Sequence, residues 1–192
     1  MMRFTFNKLI YLIWGAFFLY WFLAALFNQA KTEQKEAIAH RLLYLTLLGL
    51  AIALIAFDPE IYGPLLWRFI QDSLVVRVIG LVILVIGLGF AVWARIHLGR
   101  YWSARITLVQ GHQLIQTGPY RLVRNPIYFG ALAAVFGTAL IIGEIRALLA
   151  LILVLAAFLL KISQEEKWLR ERFGPEFIEY QKKVKALIPF IF

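Results

Sequence analysis

Apolar runs and polar breaks alternate along the chain and outline its elements. Leu9 to Phe27 is an uncharged run of 19 residues, close to the roughly 20 that cross a bilayer as a helix. Leu42 to Phe57 is a second run. Leu74 to Ala94 is a third, with Arg77 near enough to its start to snorkel. Between the last two, "DPEIYGP" marks a turn, and Leu65 to Ile70 reads as interfacial. After a long polar stretch, Ile127 to Ile142 and Ala147 to Leu160 are two shorter apolar runs around the break "GEIR". Together they predict a tight helical hairpin that crosses and returns, making five crossings. Small residues at 130, 131, 133, 134, 137, 138 and 139 suit close helix packing.

Composition agrees with lipid rather than water around most of the 192 residues. The chain is 62% hydrophobic, with a mean hydropathy of +0.77, too apolar for an ordinary soluble domain. Arg3 and Lys8 precede the first run as in a signal peptide. That run is long for a signal core, however, and no small-residue cleavage site follows, so it reads as a retained transmembrane helix.

The net charge of +9 raises nucleic acid as a partner. The basic residues flank apolar runs, which assigns them to headgroups and topology instead. Residues 95–126 carry Arg95, Arg100, Arg105, Arg121 and Arg124 with no acid, and seven basic residues follow from Lys161 onward. Both segments are expected in the cytoplasm. The 58–73 connection, with Arg68 alone, is expected outside, which puts the N-terminus outside and the C-terminus inside. Arg3 and Lys8 run weakly against that orientation.

The absence of cysteine excludes disulfides and thiol chemistry. His40, His97 and His112 show no metal-ligand spacing, so no metal is expected. Gly87-Leu88-Gly89 lies inside an apolar run with no strand before it, and reads as helix packing rather than a nucleotide loop. No acidic residue falls inside a predicted span, which argues against a transporter.

Two polar segments stand out. In "TGPYRLVRNPIYFG", Thr117 to Gly130, Gly118-Pro119 is a breaker pair and Asn125-Pro126 reads as an N-cap followed by a first helical position. The structural reading is a loop that launches a membrane helix. The functional reading adds an anion site, because free N–H groups at a helix start sit beside arginines next to lipid. The second segment, "KISQEEKWLRERFGPEFIEYQKKVKALIPF", leaves the last span as a helix. Lys161 and Glu165 share a face, Gly174 reads as a C-cap, and Pro175 opens another helix. One reading is a solvated amphipathic tail with Trp168, Phe173, Phe177 and Tyr180 on the membrane surface. The other places the Glu165 and Glu166 carboxylates just past the membrane boundary at the level of Asn125, where a carboxylate can face a ligand's ribose hydroxyls or ammonium group.

In this order, with a helical hairpin between them, "GHQLIQTGPYRLVRNPIYFG" and "EEKWLRERFGPEFIEYQKKVKALIP" resemble the isoprenylcysteine carboxyl methyltransferases and the related membrane phospholipid methyltransferases. The resemblance covers about Trp102 to Pro189. It implies an all-α integral membrane bundle of about five transmembrane helices. A cytoplasmic pocket for S-adenosyl-L-methionine would be formed by the loop before the last hairpin and the C-terminal helices. Residues 1–94 would be N-terminal transmembrane helices and 95–192 the methyltransferase core. By similarity, His112, Gln113, Leu114 and Ile115 pass along the cofactor, with Arg105 near it. Tyr120 contacts it, Asn125, Pro126, Ile127 and Tyr128 form the turn beneath it, and Glu165 holds its polar groups. Lys161 would orient the acceptor, with Arg124 the other expected catalytic residue.

The acceptor would be a lipophilic molecule from the bilayer, a prenylated cysteine carboxylate or a phospholipid amine. A non-catalytic scaffold of the same fold is the alternative. Two positions depart from the commoner family pattern. Arg124-Asn125-Pro126 replaces Arg-His-Pro, and Asn does not titrate near neutrality. Lys161 replaces an arginine and lacks its bidentate fork.

Overall fold

A computed structural model describes residues 2–26, 37–57, 59–102 and 114–189. Six α-helices are present among them: α1 Met2–Leu26, α2 Ile38–Ala56, α3 Leu74–Leu98, α4 Pro126–Ile142, α5 Ile145–Phe173 and α6 Pro175–Lys183. Four of them, α1, α2, α3 and α5, are long and apolar enough to cross a membrane. α4 is apolar but has 17 residues, ~25 Å of helix. Large apolar side chains such as Leu12, Phe22, Val75, Ile86 and Ile152 face outward, as lipid-exposed surfaces do. The chain has the build of a multi-pass integral membrane protein.

The five expected runs all became helices, with two differences. α5 does not stop at Leu160 but continues to Phe173, because nothing between Lys161 and Phe173 breaks a helix. Gly174, at φ 51°, ends it, and Pro175 starts α6. Arg77 does not snorkel. It is 3% exposed and grips Asp72 through two bonds of 2.7 Å from Nε and Nη2, so the carboxylate takes those two donors where water was expected to, while Nη1 has no partner among the described residues.

α3 and α4 form the most extensive helix pair, and glycines let them approach. A Cβ on Gly80 would lie 2.7 Å from the Gly137 carbonyl oxygen, and one on Gly87 2.6 Å from that of Gly130. Two glycines seven residues apart on each helix thus bring the backbones into contact. Gly89 has open space around it, so Gly87 alone explains the pair seen in the sequence.

α2 packs along α5. α1 lies over α3 and α4 through Phe6, Ile10, Trp14 and Phe17, and the Trp14 indole donates to the Thr138 hydroxyl at 3.1 Å.

Contacts fix the alternation of the helices. Phe6 of α1 meets Arg77 of α3, and Arg146 of α5 donates to the Leu54 carbonyl of α2. These residues share one end of the bundle. At that end the segment before α3, expected to be interfacial, crosses the α4–α5 turn. The Phe69 amide donates to the Gly143 carbonyl and the Ile145 amide to that of Trp67, while Arg68 donates to Ile142. The close of α1, the start of α2, the close of α3 and the start of α4 gather at the opposite end with the last turns of α5.

Candidate functional site

At that opposite end the segment around 118–128 and the C-terminal segment meet. Gly118 turns the chain at φ 59°. A side chain there would strike the His97 ring at the end of α3, whose Nε2 lies 2.9 Å from the Thr117 hydroxyl. The turn buries Pro119 and Tyr120, and the Tyr180 hydroxyl of α6 donates to the Tyr120 carbonyl. Four residues after Tyr120 the backbone pairs with the tail: Arg124 N–H donates to the Lys185 carbonyl at 2.8 Å and Asn125 N–H to that of Ala186 at 3.0 Å.

Asn125 stands at the N-cap position and Pro126 at the first helical position, as expected. The Asn125 side chain makes no capping bond, however. Its amide donates instead to Glu166 Oε1 and to the Ala186 carbonyl, each at 3.0 Å. Early amides of α4 therefore lack an intrahelical partner, as at any helix start.

These segments enclose a cavity of about 320 Å³. Trp21 of α1 and Leu98, Tyr101 and Trp102 at the close of α3 form one side. Leu114, Ile115 and Tyr120 form another, and Asn125, Pro126, Ile127 and Tyr128 begin α4 beneath it. α5 contributes Lys161, Glu165, Glu166 and Trp168, and α6 closes the wall with Phe177 and Tyr180. The structure thus brings together Leu114, Ile115, Tyr120, Arg124, Asn125, Pro126, Tyr128, Lys161 and Glu165. His112, Gln113 and Arg105 lie outside the described residues.

The polar groups around the cavity carry both signs. Glu165 accepts a 2.6 Å bond from the Tyr128 hydroxyl. Lys161 sets its ammonium 4.5 Å over the Tyr44 ring and 5.9 Å from that of Tyr128. Arg124 is committed to Glu166 by bonds of 2.9 and 3.0 Å, and it also donates to the Val184 carbonyl. Tyr120 is 8% exposed, and its hydroxyl has no hydrogen-bond partner among the described residues. Burial, then the charge of Glu165, push its phenol well above the ordinary range, so it stays protonated at any physiological pH. A buried, neutral donor without a partner is costly unless something else accepts from it.

Five aromatic placements were not foreseen. Trp168, Phe177 and Tyr180 do not rest on the membrane surface: they are 9%, 1% and 4% exposed and face inward. Their alternation with charges suits a surface helix equally well, so the pattern alone pointed the wrong way. Trp21 and Tyr44, from the N-terminal part of the chain, also reach the site. Each sits near the end of an apolar run, where aromatics ordinarily signify the membrane interface.

The model of the phospholipid methyltransferase family matches residues 75–176, from the first turn of α3 to the start of α6, and so takes in most of the cavity wall. Among curated proteins, the probable protein-S-isoprenylcysteine O-methyltransferase of Oryza sativa subsp. indica is 37% identical over 130 residues, 66% of this chain and 68% of that protein. The protein-S-isoprenylcysteine O-methyltransferase of Saccharomyces cerevisiae is 42% identical over 81 residues, 42% of this chain and 34% of the yeast protein. The cobalt-zinc-cadmium resistance protein CzcN of Cupriavidus metallidurans is 36% identical over 97 residues, 47% and 43% of the two chains. The match over more than half of the chain, on the segments that build the cavity, makes this protein a member of the phospholipid methyltransferase family.

Proposed function

We propose that the cavity binds S-adenosyl-L-methionine and that the protein methylates a lipophilic acceptor drawn from the bilayer, the carboxylate of a prenylated cysteine. The observation that carries this reading is the joining of a carboxylate, an ammonium and a buried hydroxyl with no partner among the described residues in one aromatic-walled cavity. Such a site suits a ligand that is itself zwitterionic and carries an aromatic base. When bound, the cofactor supplies an electrophilic methyl group on a sulfonium sulfur.

The chain's own groups then divide the work. Glu165, held by Tyr128, accepts hydrogen bonds from ligand N–H or O–H groups. Tyr120 donates one, and the first amides of α4 favour a carboxylate. The aromatic walls exclude water and attract positive charge. Lys161, one turn before Glu165 on α5, draws an anionic acceptor toward the cavity while its stem lies along apolar surface.

A carboxylate acceptor is already ionised at neutral pH, so no general base is needed. Catalysis then rests on positioning and desolvation. The basic character of residues 95–126 and of the tail supports a cytoplasmic location for this end of the bundle. The family's phospholipid members support a second reading, methylation of a phospholipid amine, which Lys161 opposes because its charge repels a protonated amine.

The test is transfer of labelled methyl from S-adenosyl-L-methionine by protein in lipid nanodiscs, to a prenylcysteine analogue and to phosphatidylethanolamine. Transfer to the prenylcysteine supports the proposal, and transfer to the amine alone overturns the acceptor. Absence of S-adenosylhomocysteine binding by folded protein overturns the whole reading in favour of a scaffold.

A further inference from the structure

Glu165 and Glu166 are neighbours on α5 with different surroundings. Successive helix positions are turned ~100° apart. Glu165 meets Tyr128 at the cavity, while Glu166, also on the cavity wall, directs both oxygens to the turn before α4 and to α6. Each Glu166 oxygen accepts two bonds. Oε1 takes Arg124 Nε at 2.9 Å and the Asn125 amide at 3.0 Å. Oε2 takes Arg124 Nη2 at 3.0 Å and the Gln181 amide at 2.8 Å. A carboxylate offers about four lone-pair sites, and all are used.

The same groups reach onward into the tail. Arg124 Nη1 donates to the carbonyls of Gln181 and Val184, and the second hydrogen of the Asn125 amide goes to that of Ala186. Leu187 follows with a side chain that is fully buried.

We infer that Asn125 and Glu166 are positioning residues. With Arg124 and Gln181 they latch the strap of residues 184–187 across the start of α4, and so hold Tyr128 and Glu165 at the spacing the cavity requires. The functional half of this inference rests on the cofactor reading above; the latch itself does not. A carboxylate with every lone pair engaged has none left for a ligand, and Arg124 is equally committed. Both therefore act through what they hold.

Asparagine suits its place because one nitrogen carries two hydrogens at every pH and serves two acceptors on different elements. A neutral imidazole has one N–H, and only the imidazolium has two. The charged or titratable groups facing this position, among the described residues, are Glu166 of α5, Arg124 of the turn and Tyr180 of α6. Burial above all keeps the Tyr180 phenol protonated.

The experiment compares wild type and Asn125→His in nanodiscs from about pH 5.5 to 8.5, around the ordinary imidazole value of about 6.5. Two quantities are read at each pH, as variant over wild type. One is the Kd for S-adenosylhomocysteine; the other, without ligand, is amide hydrogen exchange of residues 184–189. Both ratios should lie near one at the acid end, and both should rise about tenfold or more at the alkaline end, where a bond to a charged acceptor is lost. Ratios that do not change with pH overturn the inference. Exchange that follows pH in a protein whose wild type binds no S-adenosylhomocysteine supports the latch and removes the cofactor reading.

Glu166→Gln, close in shape, is the second variant. It should raise Kd about tenfold and speed exchange of the strap across the whole range, and no change in either overturns the inference as well.

Discussion

Replacing Gly130 by alanine tests whether the glycine contacts between α3 and α4 set the geometry of the cavity. The new Cβ would lie 2.5 Å from the Gly87 carbonyl oxygen and 2.7 Å from the Ala91 nitrogen. Ordinary contact begins at 3.4 Å, so the helices must part by about 0.9 Å, and both obstacles are backbone, which no rotamer change can move. Overpacking of this kind costs about 1–3 kcal/mol. The better helix propensity of alanine returns up to about 1 kcal/mol, leaving a net loss near 1–2 kcal/mol.

Gly130 is also about one turn from Pro126, so displacing α4 there moves Tyr128 away from Glu165. Gly130→Ala should therefore lower stability and weaken S-adenosylhomocysteine binding together. Gly89→Ala, with open space around its Cβ, should leave stability unchanged or raise it by a few tenths of a kcal/mol. Unfolding in detergent, followed by tryptophan fluorescence, and calorimetric binding measure both effects. Equal destabilisation by the two substitutions would refute the reasoning, because helix-wide intolerance of alanine would then be the cause.

Three further outcomes follow from the site. Glu165→Ala should weaken cofactor binding by about 1.5–3 kcal/mol, against little change for Glu171→Ala, whose side chain is exposed on the same helix; equal small effects in calorimetry would return both to the solvated face. Tyr120→Phe should weaken binding about tenfold without loss of thermal stability, since the hydroxyl it removes has no described partner. Because the raised phenol keeps its proton, wild-type affinity should show no tyrosine-type loss on the alkaline side up to about pH 10. Lys161→Ala should raise the KM for a prenylcysteine acceptor while leaving cofactor affinity nearly unchanged, and Lys161→Arg should retain activity. An enzyme active on phosphatidylethanolamine and unharmed by Lys161→Ala would transfer the acceptor assignment to the amine.

Helix number and place were legible in the sequence because length and hydropathy respond to the bilayer alone. The breakers Gly118, Asn125-Pro126, Gly143 and Gly174-Pro175 were legible too, because backbone limits are local. Arg77 was misread since its partner, Asp72, lies five residues earlier in a segment whose path is set by the α4–α5 turn. The latch was invisible for a related reason: Asn125, Glu166 and Ala186 meet only when three separate segments have packed. Asn125 looked like a cap because caps are the commonest use of that residue before Pro. Here two acceptors from elsewhere compete for its amide and win it. Tyr44 gave no signal, since a tyrosine near a membrane boundary needs no special cause.

α5 is one unbroken helix of 29 residues, ~43 Å long. Its first residue is tied at one rim by the bond from Ile145 to Trp67, and Glu165 stands ~30 Å further along. That distance equals the hydrocarbon thickness of a typical bilayer, ~30 Å. The helix thus behaves as a gauge rod, and the depth of the reacting centre is a property of the membrane as much as of the protein. Acyl chains a few Å longer would draw Lys161 and Glu165 into hydrocarbon or force the bundle to tilt, and shorter chains would lift them into bulk water. Turnover should accordingly peak at one lipid chain length, and the same molecule would work at different rates in membranes of different thickness.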